Sequence, residues 1–241
     1  MPMEPRFYRE WTHTSDLVSF VVQVRETDLQ VQAQRDLSER TVETVRRLRG
    51  ELERYISVVG DFADSFSPLP DDPDAPIIVR SMLEAGLAYG VGPMAAVAGA
   101  VAEGVGRDLL EVSPDVIVEN GGDIFLKMSR PVKLGLYAGE HSPFSRKVVI
   151  RLDCAGGSRG VCTSSGTVGP SVSLGKADAV VTVAESTALA DAAATAIANE
   201  ICSAEDLQRV LEVEQARGKL LGCLAVIGEH LGAYGDIDIV D

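Results

Sequence analysis

Residues 116–128 read VIVENGGDIFLKM, and this segment gives the clearest indication of the architecture. Apolar runs stand on both sides of Asn120-Gly121-Gly122-Asp123, and Asn-Gly is a strong signal for a tight turn between antiparallel strands. The two glycines free the backbone for positive φ angles and expose consecutive N–H groups. The segment therefore predicts a β-hairpin, whose turn could be purely structural or could also contact a ligand.

Short apolar runs separated by Gly, Pro and Ser continue after this hairpin. They predict further, mostly antiparallel strands at residues 132–137, 148–152, 178–183, 223–227 and 236–240. Because strands are grouped with strands and helices with helices, the pattern favours an α+β fold of antiparallel sheets packed with helices over a doubly wound parallel sheet.

The N-terminal part of the chain predicts a hairpin followed by an amphipathic helix. Apolar and polar residues alternate over residues 16–34, and the second strand is expected to bury one face only. Apolar residues then recur every three or four positions over residues 42–56, with Asp36 or Ser38 as candidate caps. We expect this helix to cover a sheet.

Residues 77–110 predict two helices broken at Gly90-Val91-Gly92-Pro93. The second helix consists mostly of Ala and Gly over residues 95–102, so another backbone or a flat ligand could approach it closely, in the core or between two copies. Its glycines, Pro93 and the acidic flanks favour a buried helix pair over a membrane span. Two further helices are predicted at residues 187–201 and 204–213.

Composition excludes several classes of function. The chain has 241 residues, and 22 Lys and Arg against 36 Asp and Glu give a formal charge of -14. This charge repels nucleic-acid phosphates and anionic lipid, so neither nucleic acid nor a membrane is an expected partner. The first ten residues lack an apolar run and the four cysteines lack paired spacing, so we expect a cytoplasmic protein with reduced thiols. The length fits one domain over residues 1–241, with residues 1–60 as an integral extension.

A second stretch rich in glycine and hydroxyl groups, residues 160–171, predicts a loop that could wrap an anion. It contains Thr163-Ser164-Ser165-Gly166 and is longer than a simple turn requires. Lys176 follows closely and could contact a phosphate, although such a lysine is ordinarily a solvated charge. Cys162 has no nearby His that would activate it, so we interpret it as a structural thiol.

Asp191 and Thr195 stand four residues apart in a predicted helix, so their side chains share one face and could bind one Mg²⁺ or Ca²⁺ through oxygen. The ordinary alternative is that the Thr195 hydroxyl bonds back to the Asp191 carbonyl while the carboxylate complements the helix dipole. The three histidines are far apart, so a histidine-based metal site is not expected.

Several motifs together resemble the ApbE-like superfamily. These are the segments NGGD at 120–123, TSSG at 163–166, GKADAV at 175–180 and ADAAATA at 190–196. An uncharacterised branch of the superfamily is the closer match, through the segments ETDL at 26–29, VGPMAAVAGA at 91–100 and VENGGD at 118–123. The resemblance spans nearly the whole chain and implies an ApbE-like fold.

The best-known members of this superfamily are FAD-dependent protein FMN transferases. The resemblance implies that Asp191 and Thr195 bind Mg²⁺ beside the diphosphate of FAD or FMN, and that the segments at 120–123 and 163–166 border the flavin. An acidic protein can hold an anionic diphosphate if a metal and backbone amides offset its charge. The transferases carry a His after the Thr-Ser-Gly loop where this chain has Pro170, so no catalytic residue is assigned.

Three functions are compatible with these features. The first is Mg²⁺-assisted binding of a flavin or related nucleotide diphosphate, with or without flavin transfer. The second, suggested by the resemblance alone, is a role in reductive sulfur assimilation toward homocysteine. The third is a non-catalytic ligand-binding protein on the same fold, which Pro170 motivates. Each predicts a small-molecule partner, and each leaves open whether the chain forms a homo-oligomer.

Overall fold

A computed structural model describes residues 16–140, 142–145, 147–154, 156–166 and 175–240. In these residues an eight-stranded antiparallel sheet is covered by helices on one face and by a three-stranded antiparallel sheet on the other. The α+β fold predicted from the sequence is therefore confirmed.

The N-terminal segments form the predicted hairpin and helix: β1 (Val18–Val24), β2 (Thr27–Ala33) and α1 (Ser38–Val58). The Asp36 carboxylate accepts hydrogen bonds from the Ser38 N–H at 2.8 Å and from the Ser38 hydroxyl at 2.5 Å. The prediction of one wet face on β2 is wrong, because all seven residues of this strand are buried. β2 is an inner strand between β1 and β3 (Val116–Asn120), and the Gln30 amide donates to the Ser19 hydroxyl across the sheet at 3.2 Å.

The two apolar helices are α2 (Ile77–Tyr89) and α3 (Val97–Leu109), joined through a short 3-10 helix at Pro93–Ala96. The predicted break is confirmed, and Gly90 ends α2 with a φ of 73°. No single helix in the described part of the chain is long and apolar enough to cross a membrane. The pair formed by α2 and residues 93–109 passes that test by length and composition only, and it is bent by 107°.

The remaining elements complete the two sheets. They are β4 (Asp123–Lys127), β5 (Val132–Gly135), β6 (Val149–Leu152), β7 (Arg159–Ser164), β8 (Ala179–Ala184), α4 (Thr187–Glu200), α5 (Ala204–Arg217), β9 (Gly222–Ile227), β10 (His230–Gly235) and β11 (Asp238–Val240). The large sheet has the order β1-β2-β3-β4-β7-β8-β9-β10, and the small sheet has the order β11-β6-β5. The hairpin predicted at residues 116–128 thus lies inside the large sheet, as β3 and β4.

Residues 160–164 are not part of a loop, contrary to the prediction for residues 160–171. They belong to β7, which pairs with β4 on one side and β8 on the other. Gly160 has a packing role there, because a Cβ at this position would lie 2.4 Å from the Cα of Thr187 in α4. β10 was also missed, since its sequence HLGAYG has no regular apolar alternation.

The central strands bury both faces, and each face contributes to a different core. Val118 and Phe125 pack toward the helices, whereas Ile117 and Leu126 pack toward the small sheet. The turn that joins β3 and β4 is therefore held at the end of two inner strands that are packed on both faces.

Candidate functional site

The turn at residues 120–123 is anchored against the start of α3. Gly121 and Gly122 adopt φ angles of 70° and 113°, which confirms the predicted turn. The Asn120 amide donates to the Ala98 carbonyl at 3.1 Å, and the Gly121 N–H donates to the Glu119 carboxylate at 3.1 Å. The turn conformation is thus fixed by contacts within the protein, and one of the two glycine N–H groups is already used.

Asp191 contacts Gly99, the residue that follows Ala98 in α3. Its Oδ2 accepts a hydrogen bond from the Gly99 N–H at 2.9 Å. The backbones of α3 and α4 approach so closely here that a Cβ on Gly99 would lie 2.4 Å from the Thr187 carbonyl oxygen. The small residues of α3 therefore allow the backbone of α4 to pack closely against α3 inside the protein.

One stripe of α4 remains partly exposed. Asp191, Thr195 and Asn199 keep part of their surface accessible, whereas the residues between them are buried. Their spacing of four places them on one face, as expected for α-helical geometry. Asp191 and Thr195 therefore share one partly exposed face of α4, and their role as cation ligands stays a prediction.

Asp123 is the second carboxyl group at this location. It opens β4 opposite Cys162 in β7 and is only 9% exposed. Its Oδ1 has no hydrogen-bond partner among the described residues. Burial, and then the charge of Glu119, raise its pKa to about 7, although the neighbouring polar groups of Cys162 and the Thr163 N–H oppose the shift.

The Asp191 carboxyl is shifted in the same direction. Enclosure by protein atoms, followed by the charge of Asp123, raises its pKa well above the ordinary value, against the hydrogen bond from the Gly99 N–H. Within the described part of the chain, the charges that act on these two carboxyls come from other carboxyls. Among the described residues, the site therefore concentrates carboxyl groups, and no basic side chain acts on the pKa of either one.

Replacing Asp123 with Asn is expected to change how the stability of the metal-free protein depends on pH. The pKa of Asp123 rises from 3.8 to about 7 on folding, so between these values the native state holds a proton that the unfolded state has released. The wild-type protein consequently loses stability as pH rises through this window, and Asp123→Asn removes this contribution. In thermal unfolding with chelator present, the difference between the melting temperatures of the variant and the wild type should therefore shift in favour of the variant as pH rises. Parallel curves would show that Asp123 does not titrate there.

Cys162 lies close to both carboxyls, whose charges act on its thiol. It is fully buried, and its thiol donates to the Thr187 carbonyl at 3.4 Å. Burial and the charges of Asp123 and Asp191 raise its pKa well above 9.0. Since a thiolate is the reactive form of cysteine, this environment supports a structural role.

The segment Thr163-Ser164-Ser165-Gly166 begins beside the turn and leads away from it. Ser164 is buried, whereas Thr163 and Ser165 are partly exposed and Gly166 is exposed. The Gly166 N–H donates to the Ala177 carbonyl at 2.9 Å. Residues 167–174, which include Pro170, lie outside the described residues.

Lys176 is placed apart from the carboxyl groups. Its side chain is exposed, and its backbone N–H donates to the Ile201 carbonyl at 2.8 Å, just past the C-terminal end of α4. Ten residues of helical rise put that point about 15 Å along α4 from Asp191. The structure thus brings together the turn, the end of β7 and Asp191, with Thr195 one turn further along the same face of α4 and Lys176 at the other end of the helix.

The described residues contain no group of three or more His, Cys, Asp or Glu side chains that could hold a metal. A cation beside Asp191 would therefore take its other ligands from hydroxyl or carbonyl groups, from water or from a bound molecule. Mg²⁺ accepts such sites, since it commonly uses one or two carboxylates together with the phosphates of a substrate.

Glu103 supports the site, although no motif in the sequence predicts this role. Its Oε2 accepts hydrogen bonds from the Ser186 hydroxyl at 2.9 Å and from the N–H groups of Thr187 at 2.7 Å and Ala188 at 3.4 Å. It therefore caps the N-terminus of α4 from a different helix. The signal in the sequence is a single carboxylate within a run of small and apolar residues from 94 to 106.

Comparison with known proteins is consistent with this architecture. A family model described as AbpE bacteria matches residues 9–226. A UPF0280 protein from Methanococcus aeolicus is 42% identical over 199 residues, covering 80% of each chain. A UPF0280 protein from Methanopyrus kandleri is 39% identical over 226 residues, covering 91% of each chain.

Solved structures show the same fold. A mutant of the flavin transferase ApbE from Vibrio cholerae has a TM-score of 0.58 at 14% identity, covering 92% of this chain and 98% of that one. The apo form of the Pseudomonas stutzeri flavinyl transferase ApbE has a TM-score of 0.56 at 16% identity, covering 90% and 93%. At these identities the likeness concerns the fold, and it confirms the expected ApbE-like architecture.

Proposed function

This chain belongs to the family described as AbpE bacteria, and from that premise we propose that it binds a flavin or related nucleotide diphosphate with the help of Mg²⁺. The observation that carries the proposal is the meeting of the turn at 120–123, the end of β7 and the Asp191 face of α4 at one place. The names of two structural neighbours, both flavin transferases, point to the same class of ligand.

The residues present fit Mg²⁺. Asp191 and Thr195 offer oxygen atoms from one helix face, and the neighbouring carboxyl of Asp123 has an unpartnered oxygen. Oxygen donors are the ligands that Mg²⁺ prefers. When bound, the ion would offset the negative charge of a diphosphate, which a protein with a formal charge of -14 would otherwise repel.

The remaining groups would position the ligand. We assign the turn at residues 120–123 and the hydroxyl groups of Thr163 and Ser165 to the border of the ligand. Ser164 and Gly166 shape the same segment, and Lys176 would reach a phosphate only if the ligand extends along α4. The proposal includes flavin transfer as the activity that the fold accommodates, with the catalytic residues unassigned.

A second candidate, favoured by Pro170 in place of the transferase His, is a ligand-binding protein without catalysis. It predicts the same Mg²⁺-dependent binding but no turnover. A role in sulfur assimilation stays a hypothesis based on the earlier resemblance, since the chemistry of the described residues does not bear on it.

Asp191→Ala is expected to weaken Mg²⁺-dependent FAD binding about tenfold or more, because it removes the carboxylate that faces the cation. The measurement is calorimetric titration of metal-free protein with FAD and with FMN, with and without Mg²⁺. Glu200→Ala is the matched control, since it removes an exposed carboxylate from the C-terminal end of the same helix. The proposal is abandoned if the wild-type protein binds neither flavin, or if Asp191→Ala binds like the wild type.

A further inference from the structure

We propose that Asp123 is a second carboxylate ligand of the cation that Asp191 binds, so that two separate elements of the fold form the cation site. This inference rests on the proposed function and extends it to a residue on the central sheet. The cation would then be bound between β4 and α4, with the Gly-Gly turn immediately beside it.

The contacts of three elements place the two carboxyls together. The Asn120 amide binds the Ala98 carbonyl, and the next residue of α3, Gly99, donates its N–H to Asp191. On the other side, Cys162 pairs with Asp123 across the sheet and donates its thiol to Thr187, four residues before Asp191 in α4. Two separate sets of contacts thus connect the turn and β4 to the first part of α4.

The unpartnered oxygen points to a missing ligand. Asp123 is 9% exposed, and its Oδ1 has no hydrogen-bond partner among the described residues. A buried carboxylate oxygen without a partner is costly, and native structures ordinarily satisfy such groups with a donor, a water or an ion. Among the described residues, the charges that act on Asp123 and Asp191 are those of other carboxyls, so a positive ion is the ligand that the local charge favours.

The number of acidic groups fits Mg²⁺ and a phosphate ligand. Two carboxylates cancel the charge of one divalent ion and leave coordination positions for water or phosphate oxygen. Without the ion, the same two carboxylates would repel a diphosphate at short range. Binding of the anionic ligand should therefore require the cation, and the cation should bind measurably on its own.

The experiment is a titration of metal-free protein with Mn²⁺ alone, followed by calorimetry and by electron paramagnetic resonance of the free ion. Asp123→Asn and Asp191→Asn are each expected to raise the dissociation constant about tenfold or more, since each removes one negative ligand. Glu200→Gln is the matched control, because it removes a negative charge from the same helix as Asp191 but at an exposed position nine residues further on, about 14 Å along the helix axis. Its dissociation constant should stay within about twofold of the wild type.

Melting temperatures in chelator separate a ligand role from a structural one. Asp123→Asn should melt at or above the wild-type temperature, because it removes a buried ionisable carboxyl whose Oδ1 has no hydrogen-bond partner among the described residues. A lower melting temperature would assign Asp123 a structural role and overturn the inference. Normal Mn²⁺ affinity in Asp123→Asn, with weak affinity in Asp191→Asn, would overturn it while leaving the proposed function standing. If the wild-type protein bound neither Mn²⁺ nor a flavin, both this inference and the proposed function would be refuted.

Discussion

Gly99→Ala is expected to lower the free energy of unfolding by about 3 kcal/mol or more, because overpacking against backbone atoms cannot be relieved by a side-chain movement. The new Cβ would lie 2.4 Å from the Thr187 carbonyl oxygen and 2.8 Å from the Cβ of Asp191. To admit it, α3 and α4 must separate. That movement would also break the hydrogen bond of 2.9 Å between the Gly99 N–H and Asp191, so cation-dependent ligand binding should be lost as well.

Gly104→Ala is the control for this variant, because it makes the same change on the same helix. There the three atoms nearest to the new Cβ all belong to the Leu48 side chain, the closest being Cδ1 at 2.8 Å, and a flexible side chain can shift where a backbone cannot. Alanine favours a helix over glycine by about 1 kcal/mol, so the net effect should be close to zero. Urea unfolding and calorimetry of both variants test the comparison, and equal losses would refute the packing explanation.

Glu103→Ala should cost about 2 to 3 kcal/mol of stability, since hydrogen bonds to a charged group each contribute about 1.5 to 3 kcal/mol and part of the loss is recovered by water. The carboxylate accepts hydrogen bonds from the Ser186 hydroxyl and from two N–H groups at the first turn of α4. Without it, those donors lose their partner at a helix end that lies largely inside the protein. Because Asp191 follows in the next turn, ligand affinity should fall together with stability.

Arg107→Ala distinguishes the capping role of Glu103 from its surface ion pair. Arg107 binds the other oxygen of Glu103 at 2.6 Å, and its own side chain is 61% exposed. Exposed pairs of this kind contribute about 0 to 1 kcal/mol, so this variant should remain near wild-type stability. Denaturant unfolding measures both variants, and a similar loss in each would mean that the ion pair, rather than the cap, is the important contact.

Local patterns in the sequence predicted most of the fold. Alternation around Asn120-Gly121-Gly122-Asp123 indicated the central hairpin, and the glycines at 90 and 92 indicated the break between α2 and α3. β7 was misread because its small and polar residues are typical of a loop. Gly160 is small for a different reason, namely its contact with the backbone of Thr187, and such an approach between distant segments leaves no periodic signal.

The candidate site was only partly predictable for the same reason. The spacing of Asp191 and Thr195 on one helix face is a local property, and it was available from the sequence. The proximity of Asp123 to Asp191 depends on the pairing of Asp123 with Cys162 and on the contact of that strand with α4. No spacing in the chain encodes either contact. The same holds for Glu103, whose partners lie in another helix.

Because β3 and β4 are packed on both faces, their amide protons should exchange slowly with solvent. Amide protons in interior strands packed on both faces exchange with solvent mainly through opening of the whole sheet, whereas those of edge strands such as β1 and β10 exchange through local fraying. The floor of the candidate site therefore belongs to the slowest-exchanging part of the molecule. A ligand that binds there will slow the exchange of the whole cooperative unit, and its occupancy can be read from amides far from the bound molecule.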